Sequence, residues 1–315
     1  MTAPHDPIER LRAALADQYD VERLLGQGGM GAVYLARDRT LDRPVAIKVV
    51  AAEVASSPVL RERFLQEARV VARLRHPGIV TVYSAGDASG QLYFAMEFVR
   101  GESLRERLQR EGKLQPERAT EILRDMALAL DYAHQHGVIH RDVKPENVLI
   151  DQDTGRAMLT DFGVARALER EGSLTGTGVV LGSPRYMSPE QATGERTVDG
   201  RSDLYALGLV GYEMIVGKPV VDGASAASML VKHLTETPVP LAEAAANVPA
   251  SYSMVVDRAL AKSPDARWSS GREMAESLGG AVLTPTPTPV ALPRAKGSNR
   301  RRWAIAGGAV TVAAA

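Results

Sequence analysis

The chain predicts a two-lobed α+β fold: a small antiparallel β-sheet lobe with one helix, followed by a larger, mainly helical lobe. Three observations lead there. Residues 19–50 consist of short β-branched runs at 21–25, 32–36 and 45–50, broken by glycines and by the turn-like 40–43, which is the pattern of three antiparallel strands. At 60–74 the period changes, with Leu60, Phe64, Ala68, Val71 and Leu74 recurring every three or four residues, as on one face of a helix. Beyond Ser103 the helical period dominates.

Element by element, two further strand-like runs at 79–83 and 92–98 complete the first lobe, and Gly101 marks a break. Pro116 opens a long helix whose stripe is Ala119, Ile122, Leu123, Met126, Leu130 and Ala133, ending near Gly137. Strand-like runs at 148–150 and 157–160 follow. Helical patterns then cover 203–216, 226–235, 252–261 and 272–278. The domain boundaries expected are an N-terminal tail at 1–18, the small lobe at 19–99, the large lobe at 100–280, a Pro/Thr-rich linker at 281–299 and a terminal segment at 300–315.

Composition narrows the function classes. The 315 residues contain no cysteine, so disulfides, thiolate metal sites and a catalytic thiol are excluded. Lys+Arg and Asp+Glu both total 38, and a formal net charge of zero offers no global attraction to nucleic acid or an anionic membrane. The first twelve residues lack the apolar core of a secretory signal. At the other end, the Thr and Pro alternation of 284–289 favours an extended linker. Arg300, Arg301, Arg302 and Trp303 then precede the uncharged 304–315; a short basic run is commonly a solvated tail, but followed by Trp303 and an uncharged stretch it also fits the cytoplasmic edge of a truncated membrane helix, the reading favoured here. Those twelve residues reach only ~18 Å as a helix. That is short of a hydrocarbon core of roughly 30 Å.

Four motifs carry chemistry. Gly26, Gln27, Gly28, Gly29, Met30 and Gly31, with Val33, form a G-x-G-x-x-G-x-V run between two strands. Without Cβ atoms in the way, backbone amides can close over a triphosphate. Val45, Ala46, Ile47 and Lys48 put a lysine on a buried strand, where it needs a partner; Glu67 on the periodic helix suits that role better than Glu62, which sits among arginines on the solvated face. His140, Arg141, Asp142, Val143, Lys144, Pro145, Glu146 and Asn147 lie between a helix and a strand. Phosphoryl transfer needs a carboxylate to take the hydroxyl proton, a cation near the moving group and an oxygen ligand for Mg²⁺, which Asp142, Lys144 and Asn147 supply in turn. Glu146 reads as structural. Asp161, Phe162 and Gly163 follow a strand and offer another hard carboxylate to the metal.

In this order and in these elements, the four motifs resemble the eukaryotic-type protein kinases, most closely the bacterial Hanks-type serine/threonine kinases, over about 19–280. The resemblance implies the two-lobed protein kinase fold, with the helix of the small lobe regulatory, and ATP with Mg²⁺, or Mn²⁺ in its place. It also implies that 26–33 covers the phosphates and that Lys48, paired with Glu67, holds them. Ala46 would then line the nucleotide site, Met96 would be the gatekeeper, and Glu97 and Val99 would offer backbone to adenine. Asn147 and Asp161 would bind the metal. Lys144 fits the serine/threonine branch, and 182–190 looks like a peptide-binding segment, with Ser188 where the family's Ala stands. Glu190 resembles the partner of Arg267, and Asp203 the brace of the catalytic loop.

Arg141 before Asp142 marks the subset regulated by phosphorylation of the activation loop, for which Thr175 and Thr177 are the candidates. The implied partners are proteins bearing Ser or Thr, with a homodimer also open, no nucleic acid, and membrane association through the terminal segment. The kinase domain would be cytoplasmic, tethered by a helix starting near Trp303. The rival readings are a pseudokinase scaffold, against which Lys48, Asp142 and Asp161 all stand, and a small-molecule phosphotransferase, against which the peptide-binding segment stands.

Overall fold

The computed structural model describes residues 7–28, 31–50, 57–162, 184–195 and 197–279. The small lobe is a five-stranded sheet, β1 (Tyr19–Gly28), β2 (Gly31–Asp38), β3 (Arg43–Val50), β4 (Val82–Ala88) and β5 (Gln91–Glu97), in the order β1-β2-β3-β5-β4 with every pair antiparallel. Central β3 is buried on both faces, and the two-residue period divides its side chains. Val45 and Ile47 enter one apolar cluster; Ala46 and Val50 enter the other, so Lys48 shares the face of Ala46.

The inner cluster joins Ala46, Phe94 and Met96 to Phe64, Ala68 and Val71 of helix α2 (Pro58–Val71). These are three of the periodic positions that identify the helix in sequence. Its start is set by Ser57, whose hydroxyl accepts from the Leu60 amide, and by Pro58 in the first turn.

The outer face of the sheet is covered by helix α1 (Pro7–Leu15), within the stretch expected as a tail. Leu11 and Leu15 are buried against Val21, Tyr34, Val45 and Ile47. Arg12 binds the chain to β1, donating from Nε to the Val21 carbonyl at 2.9 Å and from Nη2 to that of Glu22 at 2.8 Å. The spacing of Ile8, Leu11 and Leu15 carries the helical signal, masked by the charges between them.

The run at 79–83 differs from the expected strand. Ile79 and Val80 leave the small lobe and lie parallel to Leu159, with the Val80 amide donating to the Leu159 carbonyl at 2.9 Å and the Leu159 amide to that of Gly78 at 2.8 Å. β4 therefore starts only at Val82. An apolar run records burial but not the strand it faces.

The large lobe follows from β6 (Gly101–Ser103), α3 (Leu104–Glu111) and α4 (Pro116–Gln135). β6 pairs with β7 (Val148–Asp151), and β7 with β8 (Ala157–Leu159), in a small antiparallel sheet. After these come α5 (Pro189–Ala192), α6 (Gly200–Val216), α7 (Ala226–Thr235), α8 (Leu241–Ala244), α9 (Ala250–Ala259) and α10 (Gly271–Ser277).

Helix α6 is buried on all sides from Ser202 to Ile215, as expected of a helix apolar around its circumference. At Gly208 any side chain would collide with Ala259 of α9, so the glycine sets how closely the two helices approach. The helix stops at Gly217, left-handed at φ 78°.

Candidate active site

The site lies between the inner face of the small sheet and the loops around β7 and β8. Strand register gathers the nucleotide candidates of the first lobe. Val33 is directly opposite Lys48, Ala46 opposite Met96, and Val45 opposite Glu97. Directly paired residues share a face, so Val33, Ala46, Lys48 and Met96 line one surface. Glu97 is pinned at its amide by the Thr81 carbonyl at 2.9 Å, and Val99 lies in the connector just beyond β5. The connector is thus held from one side.

The glycines divide by role. Gln27 pairs with Ala32, and a Cβ at Gly26 or Gly28 would meet open space, which keeps the backbone approachable from the cleft. Gly31 is a glycine for another reason: at φ 132° a Cβ would strike the Val49 carbonyl of the neighbouring strand. Gly29 and Met30 lie outside the described residues.

Lys48 is buried, and its ammonium meets Asp161, with Nζ to Oδ2 at 2.6 Å. The ion pair of Lys48 is thus with the carboxylate expected to bind metal, not with Glu67. Glu67 is half-buried on α2, and Glu62 is exposed, as their places on the helix suggest. Burial opposes the charge on Asp161, but the Lys48 ammonium outweighs it and holds the carboxyl below its usual range. Asp161 also has a left-handed backbone at φ 68°, a conformation that costs a non-glycine residue energy and must be held by its surroundings.

The catalytic loop is held from below. The buried Asp203 carboxylate of α6 accepts from the His140 amide at 2.8 Å, the Arg141 amide at 2.7 Å and His134 Nε2 at 2.8 Å. Burial alone would favour its neutral acid; these donors win and depress its pKa. Arg141 is left-handed at φ 68° under this restraint.

His140 is fully buried. Its Nε2 lies 2.8 Å from the Thr160 carbonyl and so must donate, while Nδ1 accepts from the Asp142 amide at 3.3 Å; the two partners specify one neutral tautomer. The ring packs on Phe162, centroids 4.5 Å apart, tying the Asp142 loop to the Asp161 segment.

Above this brace the reactive groups converge. Lys144 Nζ donates to Asp142 Oδ2 at 2.6 Å, and Asn147 Nδ2 donates to the same oxygen at 3.1 Å and to the Asp142 carbonyl at 2.8 Å. The Asn147 amide nitrogen is thereby committed, and its oxygen is the atom it can offer a cation. Among the described residues no group of three or more His, Asp or Glu is arranged to hold a metal. A donor set of Asp161 and Asn147 suits a hard cation that takes most of its remaining ligands from phosphate and water, as Mg²⁺ does.

Two interactions were not legible in the motifs. Arg105 of α3 donates from Nε to Glu146 at 2.8 Å and from Nη1 to Glu213 at 2.7 Å, and its Nη2 reaches the Tyr186 hydroxyl. Glu146 is thus structural, and Arg105 joins the catalytic loop, α6 and the 184–186 turn. Nothing in a charged helix marks one arginine among several for that role. The second is Gln191 Nε2, which donates to the Arg141 carbonyl at 2.9 Å.

Ser188, the departure from the family pattern, caps α5 by accepting from the Gln191 amide. Arg267 grips Glu190 with both Nη atoms at 2.8 Å in a buried bidentate pair. Thr175, Thr177 and Gly163 lie outside the described residues.

Comparison with known proteins agrees with this geometry. The family described as Protein kinase domain matches residues 19–278. The serine/threonine-protein kinase PknB of Mycolicibacterium smegmatis is 46% identical over 269 residues, 84% of this chain and 43% of that protein. The serine/threonine-protein kinase PknJ of Mycobacterium tuberculosis is 40% identical over 309 residues, 94% of this chain and 52% of that protein. The crystal structure of the Mycobacterium tuberculosis PknI kinase domain superposes with a TM-score of 0.68 at 34% identity, covering 83% of this chain and 95% of that one. The chain therefore spans about half the length of the curated relatives it matches. From the matched residues and the site they build, the chain belongs to the protein kinase family, and its relatives are the bacterial Hanks-type serine/threonine kinases.

Proposed function

We propose that this chain is a serine/threonine protein kinase that transfers the γ-phosphoryl group of ATP to protein hydroxyls in bacterial signalling. The observation that carries the reading is the convergence of Lys144 and Asn147 on Asp142, at 2.6 and 3.1 Å, on a loop braced by Asp203. A positioned carboxylate can accept the acceptor hydroxyl's proton, the neighbouring ammonium offsets charge on the moving phosphoryl, and the bond to Asn147 keeps the carboxylate oriented. Lys48 would hold the α- and β-phosphates beneath 26–33, with Ala46 and Met96 against the base and the backbone of Glu97 and Val99 as its polar partners. Asn147 and Asp161 would hold Mg²⁺, or Mn²⁺ in its place, which when bound neutralises phosphate charge.

In this reading Lys48 exchanges Asp161 for phosphate when nucleotide and metal arrive, and Glu67 steadies the lysine in that state. Thr175 and Thr177 are the proposed regulatory phosphosites, a reading supported by Arg141 directly before Asp142 and by the sequence position of the two threonines between Asp161 and Glu190. The kinase domain is cytoplasmic and the segment after Trp303 tethers it to the membrane, a reading supported by the basic run and the apolar residues behind it. Among the described residues no helix is long and apolar enough to cross a membrane. Protein substrates and a homodimer complete the proposed partners.

The test is incubation with Mg²⁺ and ATP, followed by mapping of phosphate on the chain and on cell extract. Transfer to Ser and Thr, abolished by Asp142→Asn, is expected; transfer that persists in that variant overturns the reading.

A further inference from the structure

Helix α7 buries one side chain, and it is polar: His233, with no exposed surface. An imidazole in a site that an apolar residue could fill must satisfy both nitrogens. Nε2 lies 2.8 Å from the carbonyl of Pro184 and so donates to it. Nδ1 is then the acceptor, 3.3 Å from the hydroxyl of Tyr205 on α6. Burial, with the nearby Lys262 ammonium, pushes the His233 pKa down and keeps this neutral form. The helix is anchored at the same residue, because Lys262 Nζ donates to the His233 carbonyl at 2.7 Å.

Pro184 opens the 184–186 turn, which leads directly into α5 and the Gln191 contact with the catalytic loop. We propose that His233 is a positioning residue for the protein substrate: its Nε2–H holds the Pro184 carbonyl and so sets the turn against which an acceptor peptide lies. The proposal rests on the protein kinase reading above and deepens it.

Two substitutions separate the hydrogen bond from the packing. Gln places its amide nitrogen near Nε2 and can still donate to Pro184; Asn reaches only to the level of Nδ1. Full-length chain is assayed with Mg²⁺·ATP and a Thr-centred peptide library, measuring KM for peptide and for ATP separately. His233→Asn is expected to raise the peptide KM about fivefold, the order of one lost hydrogen bond, at unchanged ATP KM, while His233→Gln stays within about twofold of the parent. Equal effects of the two variants, no effect of Asn, or a parallel rise in ATP KM overturns the proposal.

If either variant fails to fold, Tyr205→Phe carries the test. It removes the hydroxyl partner of Nδ1 and leaves that buried acceptor unpaired, which loosens the ring that carries the Nε2–H, so a peptide KM raised at least about twofold at constant ATP KM supports the proposal, and an unchanged one overturns it. A parent chain that phosphorylates no acceptor would instead refute the kinase reading itself.

Discussion

Lys48 and Asp161 form an ion pair, Nζ to Oδ2 at 2.6 Å, between the central strand of the small lobe and the segment after β8 of the large one. The lysine side chain is 7% exposed and the aspartate 22%, so water screens the pair little. In the proposed reading both members are released from the pair on nucleotide binding, Lys48 to phosphate and Asp161 to the metal ion. Lys48→Met should abolish transfer and destabilise the protein by about 1–3 kcal/mol, below the value for a fully buried pair because Asp161 retains some water. Adding Asp161→Asn to it should recover part of that stability and none of the activity. A urea double-mutant cycle measures the coupling, and strictly additive losses would refute it.

Asp142→Asn tests the chemistry with little change of shape. The amide can still receive the Lys144 and Asn147 donors at its oxygen, so the melting temperature should hold within a few degrees. Phosphoryl transfer should fall by about 10²–10⁴, and phosphate on Thr175 and Thr177 should vanish when the protein is incubated alone with Mg²⁺ and ATP. Mass spectrometry of the intact and digested chain reads both.

Arg267 and Glu190 are buried, at 2% and 6% exposure, and the Ser202 hydroxyl also donates to the carboxylate. Burial disfavours the Glu190 charge, but the arginine and serine bonds outweigh it and lower its pKa. Replacing Arg267 by Met strands that carboxylate, and the expected loss is about 3–5 kcal/mol in denaturant unfolding. Pairing it with Glu190→Gln should restore part of the loss.

Acid should weaken the fold before its carboxylates titrate. His76 is held neutral, its pKa lowered from 6.5 to about 4 mainly by burial and then by Arg156, while its Nδ1 accepts from the Gly78 amide at 3.0 Å. The unfolded chain binds this proton more readily than the folded one. The contribution of His76 to stability is therefore complete above about pH 6.5 and is lost progressively as pH falls towards about 4. His233, also depressed, acts in the same direction. Urea midpoints should fall between pH 7.5 and 5.5, and His76→Asn, which keeps an acceptor for Gly78 but cannot titrate, should flatten the slope. An equal slope in the variant would remove His76 as a cause.

Helix α1 should contribute to stability. Leu11→Ala deletes a side chain 1% exposed on the outer face of the sheet and should cost about 2–4 kcal/mol in urea unfolding. Deleting residues 1–16 uncovers Val21, Tyr34, Val45 and Ile47 together, and loss of soluble monomer by size-exclusion chromatography is the expected result.

Local pattern determined much of this protein. The helical period of α2 and α4, the β-branched runs of β1 to β3, and the order of the motifs around Lys48, Asp142 and Asp161 are all properties of neighbouring residues, and each lies in its expected element. Helical period also separated the half-buried Glu67 from the exposed Glu62, but it did not identify the ion-pair partner of Lys48, which is Asp161. Pairing across the chain is a different matter, since it depends on which surfaces meet. Lys48 meets Asp161, 113 residues later, only because β3 and the end of β8 face the same cleft. For the same reason Ile79 pairs with Leu159, Arg105 joins Glu146 to Glu213, and His233 holds Pro184. A charged side chain satisfies its valence with any suitable partner within reach, so residue type and spacing state the need for one, and the tertiary fold chooses which.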